Sequence, residues 1–178
     1  MKINQANELL SQDYFKLFLI PQDFKIDQTK LQQNYLDLQR QFHPDNYINS
    51  DTVAKSIILK LSAHINQGYT TLKNPLLRGA LLLKLNNVDL KLSEDTKLPN
   101  EFLMEQMELH EEIFEAKSTN DFIKLENIEK DVEFKEKQLI NEIEHNFTLK
   151  DYVAVKELLK QLKFYTRLKD TVVIALEN

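Results

Sequence analysis

The chain has no cysteine and no tryptophan, only two glycines and four prolines, and no uninterrupted apolar run longer than the five residues Val172 to Leu176. Each shortage closes off a class of explanation. Without cysteine the chain itself holds no disulfide, no thiolate nucleophile and no cysteine-ligated zinc or iron–sulfur cluster. Scarce glycine and proline disfavour the many tight turns of an all-β protein and favour long helices. The apolar runs fall far short of the roughly 20 residues a membrane-spanning helix requires. Met1-Lys2-Ile3-Asn4-Gln5 lacks the apolar core of a secretory signal. Positive charge is also short, since 23 Lys and Arg face 28 Asp and Glu for a formal charge of -5. Nucleic acid and anionic membrane are therefore not expected as partners, because both are gripped by clustered cations. The expected compartment is a reducing cytoplasm. What remains is an all-α chain of 178 residues, 42% hydrophobic and 29% charged, long enough for one large domain or two small ones.

The clearest helical pattern lies in the first half. Leu31, Tyr35, Leu38 and Phe42 recur at steps of four, three and four, the period of one buried helix face. Asp27 is placed to cap that helix. Pro44 stops it, having no N–H to donate, and drives His43 toward an extended conformation. His43, Pro44 and Asp45 therefore stand together at a kink. Val53, Ile57, Leu61, Ile65 and Tyr69 follow at steps of four, predicting a second helix antiparallel to the first. Upstream, Asp13 opens a short helix that carries Phe15 and Phe18 inward, and the polar residues up to about Ser11 are expected to fray.

Taken alone, His-Pro-Asp is an ordinary turn composition. The ordered set is more specific: Asp13-Tyr14-Phe15-x-Leu17-Phe18, then Tyr35-x-x-Leu38, then Phe42-His43-Pro44-Asp45, then Ile65-Asn66-Gln67-x-Tyr69-x-x-Leu72. Together these resemble a J-domain, the module by which J-protein co-chaperones engage a DnaK-type, seventy-kilodalton heat-shock chaperone. The resemblance implies that His43, Pro44 and Asp45 contact the chaperone. It also implies a basic outer face on the preceding helix, to which Arg40 and Lys30 belong, although Asp37 and Gln41 stand where many J-proteins carry cations.

Asn74-Pro75 is a helix start signal for a segment through Leu76, Leu77, Ala80, Leu81 and Leu83 that ends near Asn86-Asn87. Periodicity then fades up to Pro99. The expected organisation is a J-domain over 10–85, a linker over 86–98 and an antiparallel three-helix bundle over 99–178. Breaks are expected near Ser118-Thr119-Asn120 and Asn146-Phe147-Thr148. The middle helix would bury Phe122, Leu125, Ile128, Val132, Leu139 and Ile143; the last would bury Tyr152, Val155, Leu158, Leu159, Leu162, Tyr165, Leu168, Val172 and Leu176.

The first bundle helix has more apolar residues than one buried face needs. At about 100° per residue, Phe102, Gln106, Leu109, Ile113 and Ala116 form one stripe, and Leu103, Met107, His110 and Phe114 form a second about 110° away. Phe114 is expected in a wide core. Leu103, Met104 and Met107 are expected to be either core or an adaptable docking patch, rimmed by Glu108, Glu111 and Glu115. An acidic rim favours a basic partner.

Phe102-Leu103-Met104-Glu105-Gln106-Met107-Glu108-Leu109, with Asp37-Leu38-Gln39-Arg40-Gln41-Phe42-His43-Pro44-Asp45 and Asn74-Pro75-Leu76-x-Arg78, narrows the likeness. Nearly the whole chain resembles the HscB family, J-proteins of iron–sulfur cluster assembly. That resemblance implies a J-domain addressing the chaperone HscA and a bundle delivering the scaffold protein IscU. It implies a scaffold-binding face of Leu103, Met104, Met107, Glu108, Glu111, Glu115 and Phe164. His110 and Leu98 depart from basic residues common in relatives. A general J-protein with a dimerisation or adaptor bundle is the alternative.

An enzyme reading would have to draw on His43, Asp45 and His64. There is no glycine-rich phosphate loop, no nucleophile with a readable partner, and no metal-ligand spacing among the four histidines. Neither a catalytic site nor a cofactor or metal is expected.

Overall fold

In a computed structural model, which describes residues 2–89 and 99–177, the chain is all-helical, with no strand among the described residues. The described residues form, in order, the α-helices α1 (Lys2–Leu10), α2 (Tyr14–Leu17), α3 (Gln28–Phe42), α4 (Thr52–Lys73), α5 (Pro75–Leu85), α6 (Asn100–Ser118), α7 (Phe122–Leu149) and α8 (Tyr152–Glu177). Leu98 and most of the expected linker lie outside the described residues. None of the described helices is long and apolar enough to cross a membrane. The chain divides into two compact units after Leu82.

In the first unit, α3 and α4 form a hairpin and α2 packs on α4. Asp27 caps α3 by accepting from Lys30 N at 3.0 Å, and Asp13 caps α2 by accepting from Lys16 N at 3.1 Å. Phe15, Phe18, Phe24, Leu31, Phe42, Ile58, Leu61, Ile65 and Leu72 are fully buried, each such side chain contributing about 1.5–3 kcal/mol. The N-terminal stretch does not fray as expected. It forms α1 against α4, with Ala6 fully buried and Gln41 donating to Gln5 at 3.4 Å.

The α4 register also differs from expectation. Its buried residues are Ala54, Ile58, Leu61, Ile65, Gly68 and Leu72, while Val53 is 69% exposed. Uniform steps of four drift about 40° per step around a helix, so alternating fours and threes are needed to stay on one face. Leu19, which follows α2, sits in the left-handed region at φ 49.

Arg78 stitches this unit together from α5. Its guanidinium donates to Phe24 O at 2.7 Å and Leu72 O at 2.6 Å and lies 4.9 Å from the Phe24 ring centroid. Burial lowers its pKa to about 10, still leaving it cationic at neutral pH.

In the second unit α6, α7 and α8 run up, down and up. The second break falls later than expected, because α7 continues through Asn146-Phe147-Thr148 to Leu149. Asn146 and Thr148 bond back to the carbonyls of Glu142 and Glu144, at 2.9 and 3.1 Å, so polar side chains are satisfied within the helix. Lys150 ends it in the left-handed conformation at φ 58. The core holds Leu125, Ile128, Val132, Leu139 and Ile143 from α7, with Val155, Leu159, Leu162, Tyr165, Leu168 and Val172 from α8. Phe122, expected inside, is 48% exposed, being the first residue of its helix. Tyr152, Leu158 and Leu176 are half-buried. Lys169 pairs with Glu133 at 2.8 Å across α7 and α8.

Candidate functional site

Two groups of exposed side chains stand out, one on each unit. The first is built where α3 ends. His43 has extended backbone, φ -62 and ψ 131, and Pro44–Tyr47 form a single 3-10 turn beyond it. A helix C-terminus leaves carbonyls without intrahelical partners. Here two side chains from the turn fill them: Asn46 Nδ2 donates to Arg40 O at 2.9 Å, and Tyr47 Oη donates to Gln41 O at 3.3 Å. Phe42 anchors the same corner in the core. The loop is thus held from behind while the His43 and Asp45 side chains face solvent.

His43 Nδ1 accepts from Asp45 N at 3.3 Å and lies 3.6 Å from Asp45 Oδ2. One nitrogen cannot do both, because accepting needs its lone pair and an ion pair needs its proton. The longer separation is outside hydrogen-bond range, so the backbone contact decides. In the neutral ring Nε2 then carries the proton and presents it outward as a donor.

Arg40 joins this loop through its carbonyl, and its guanidinium lies 3.4 Å from Asp37 on the exposed face of α3. Gln33, Asn34, Leu36, Asp37 and Arg40 line a shallow open depression there. Lys30 shares α3 but stands about 20 Å along it from His43 by helical rise. Behind the face, Tyr35 Oη and Gln39 Nε2 both donate to Asn66 Oδ1 of α4, and the Tyr35 and Tyr69 rings stack at 4.1 Å. These contacts set the distance between the two hairpin helices. His64 is remote from the loop, about 18 Å along α4 from its first residue. Its ring packs 5.0 Å from Tyr14, so His43, Asp45 and His64 do not converge.

The second group lies on α6. Phe102, Gln106, Ile113 and Ala116 are buried against the bundle, as the first stripe predicts. The second stripe faces solvent: Leu103 is 39% exposed, Met104 61%, Met107 64% and Phe114 76%. Phe114 is therefore not core, contrary to expectation, because a third bundle helix has only one packed face and the residue sits about 120° from its centre. Glu108, Glu111 and Glu115 are exposed. Glu115 is paired with Lys124 of α7 at 3.0 Å. Phe164 reaches this region from α8, half-buried, its ring edge-on to Phe102 at 5.8 Å.

Reasoning from sequence passed over Asn46, Tyr47 and Asn66, whose work is to hold the first group in place. The signal for the first two was their position directly after a helix-ending proline, where carbonyls want donors. Asn66 gave no such sign.

A helical hairpin that displays His-Pro-Asp, in a chain continuing into a three-helix bundle, defines a J-domain co-chaperone architecture. Residues 98–173 match the family profile described as the HSCB C-terminal oligomerisation domain. A co-chaperone protein HscB homologue of Neisseria meningitidis is 34% identical over 92% of this chain and 98% of its own length. The mouse iron-sulfur cluster co-chaperone protein HscB is 34% identical over 91% of this chain and 68% of its own. Among solved structures, chaperone HscB from Vibrio cholerae superposes with a TM-score of 0.84 at 29% identity, over 93% of this chain and 98% of that one. The chain belongs to the HscB co-chaperone family.

Proposed function

We propose that this protein is a two-site co-chaperone of iron–sulfur cluster assembly with no catalytic step of its own. Its first unit engages a DnaK-type chaperone, HscA, through His43, Pro44, Asp45, Arg40 and Lys30. Its second holds the iron–sulfur scaffold protein, IscU, through Leu103, Met104, Met107, Glu108, Glu111, Glu115 and Phe164, and residues 86–98 link the two in the cytoplasm. Contact with the chaperone favours the conformation that hydrolyses ATP, which requires different affinities for its two states. Tethering raises the local concentration of the scaffold at the chaperone.

The observation that carries this reading is the open apolar strip of Leu103, Met104 and Met107, on a helix whose other face is already packed. The names of the relatives, iron-sulfur cluster co-chaperone among them, supply the partner class. The test is the ATPase rate of the chaperone with scaffold, with and without the chain. His43→Gln is expected to abolish stimulation. Leu103→Ser/Met107→Ser is expected to lose only the scaffold-dependent part. Absence of stimulation by the wild type would sink the reading.

A second reading has the bundle pair with another copy, in line with the oligomerisation named in the matching profile. A two-fold contact through α6 sets Glu108 and Glu111 against the same carboxylates, which disfavours it. Sedimentation decides: a wild-type dimer that the double variant dissociates puts this reading first.

A further inference from the structure

The apolar strip on α6 does not stop at Met107. Phe114 is 76% exposed, more open than Leu103, Met104 or Met107, and it stands on the same line of the helix. Leu103, Met107, His110 and Phe114 fall within about 60° of one another by helical rotation, and their rise makes a strip about 16 Å long. Helical side chains lean toward the N-terminus, so Phe114 covers the turn that carries His110 and narrows the polar break between itself and Met107.

One flank of this strip is acidic. Rotation places Met104, Glu108, Glu111 and Glu115 together on the solvent side of it. The whole helix carries six glutamates against a single lysine, Lys117. Lys124 draws off Glu115, whereas Glu108 and Glu111 reach no cation among the described residues. A surface that is apolar along one line and anionic beside it fits a partner protein with an apolar patch edged by Lys or Arg. It fits a second α6 poorly, for the like-charge reason already given.

We propose that Phe114 is a specificity contact for the scaffold protein, extending the docking surface by two turns beyond Met107 toward the C-terminal end of α6. This rests on the scaffold-binding reading of the bundle. An exposed phenylalanine adds a large, rigid apolar area with few rotatable bonds, the kind of side chain that carries binding energy when a partner covers it.

The test titrates purified scaffold protein against the full chain as wild type, Phe114→Ser, Phe114→Leu and Leu103→Ser/Met107→Ser, with the melting temperature of each. Phe114→Ser is expected to weaken binding about tenfold with an unchanged melting temperature, and Phe114→Leu to keep most of the affinity. If Phe114→Ser binds like wild type while the double variant is weakened, the extension is wrong and the scaffold-binding reading stands. If the wild type itself does not bind, that reading falls and the extension with it. If sedimentation finds a wild-type dimer that Phe114→Ser dissociates, a second copy covers the ring and the proposal is overturned.

Discussion

Gln106 shows how a single residue can sit where the helical period puts it and still be poorly served. It is 5% exposed, and its Oε1 and Nε2 make no hydrogen bond of good geometry, the Tyr165 hydroxyl being the group close enough to interact with the amide. The Tyr165 hydroxyl, also in the bundle interior, is satisfied by donating to Glu105 at 2.9 Å. Burial, reinforced by that carboxylate, pushes the Tyr165 phenol well above its usual range. A buried amide whose hydrogen bonding is incomplete costs about 1–3 kcal/mol, so Gln106→Leu, which is close in size and keeps the helix propensity, is expected to stabilise. Thermal unfolding followed by circular dichroism should give a melting temperature about 4 °C higher. A lower one would mean that the amide is bonded in solution. Nothing in the spacing of α6 distinguished this glutamine from its apolar neighbours, because periodicity reports which face a residue occupies and not whether its polar atoms find partners.

At the scale of elements, the close approach of α2 to α4 depends on Gly68. A Cβ there would stand 2.7 Å from Tyr14 Cδ1 and 3.0 Å from Phe18 Cε2. Alanine would gain about 1 kcal/mol of helix propensity. The half-buried Tyr14 ring has room to turn outward, but Phe18 is fully buried and has none, so overpacking outweighs that gain. Gly68→Ala is expected to destabilise by about 1–2 kcal/mol net, read as a lower denaturation midpoint in urea. A midpoint raised above that of wild type would show that both rings slide aside. The helices themselves were legible from caps, proline and apolar spacing: Asp27, Pro44 and Asn74-Pro75 mark boundaries that the structure keeps. Polar composition alone was an uneven guide: the break at Ser118-Thr119-Asn120 is kept, whereas α7 runs straight through Asn146 to Thr148 because those two side chains find carbonyls of their own helix.

For the whole molecule, the proposed function depends on two sites borne by one chain. Mixing His43→Gln with Leu103→Ser/Met107→Ser supplies both sites, but on separate molecules. Scaffold-dependent ATPase stimulation is expected to stay at the level of the weaker single preparation, because the effective concentration created by a tether is lost. Full recovery in the mixture would show that bridging is not how the protein acts. By itself the sequence determined the helical class, the kink that presents His43, Pro44 and Asp45, and the surplus of apolar residues on α6, since each follows from local sterics or from periodicity along one helix. The tertiary structure alone decided which stripe of α6 is covered. It also decided that Phe114 and Phe122 face solvent, that Lys2–Leu10 packs as α1, and that Asn46, Tyr47 and Asn66 support the loop and its hairpin. Those outcomes depend on which neighbouring helix fills which face and which distant carbonyl needs a donor, and contacts between residues far apart in sequence leave no period along the chain.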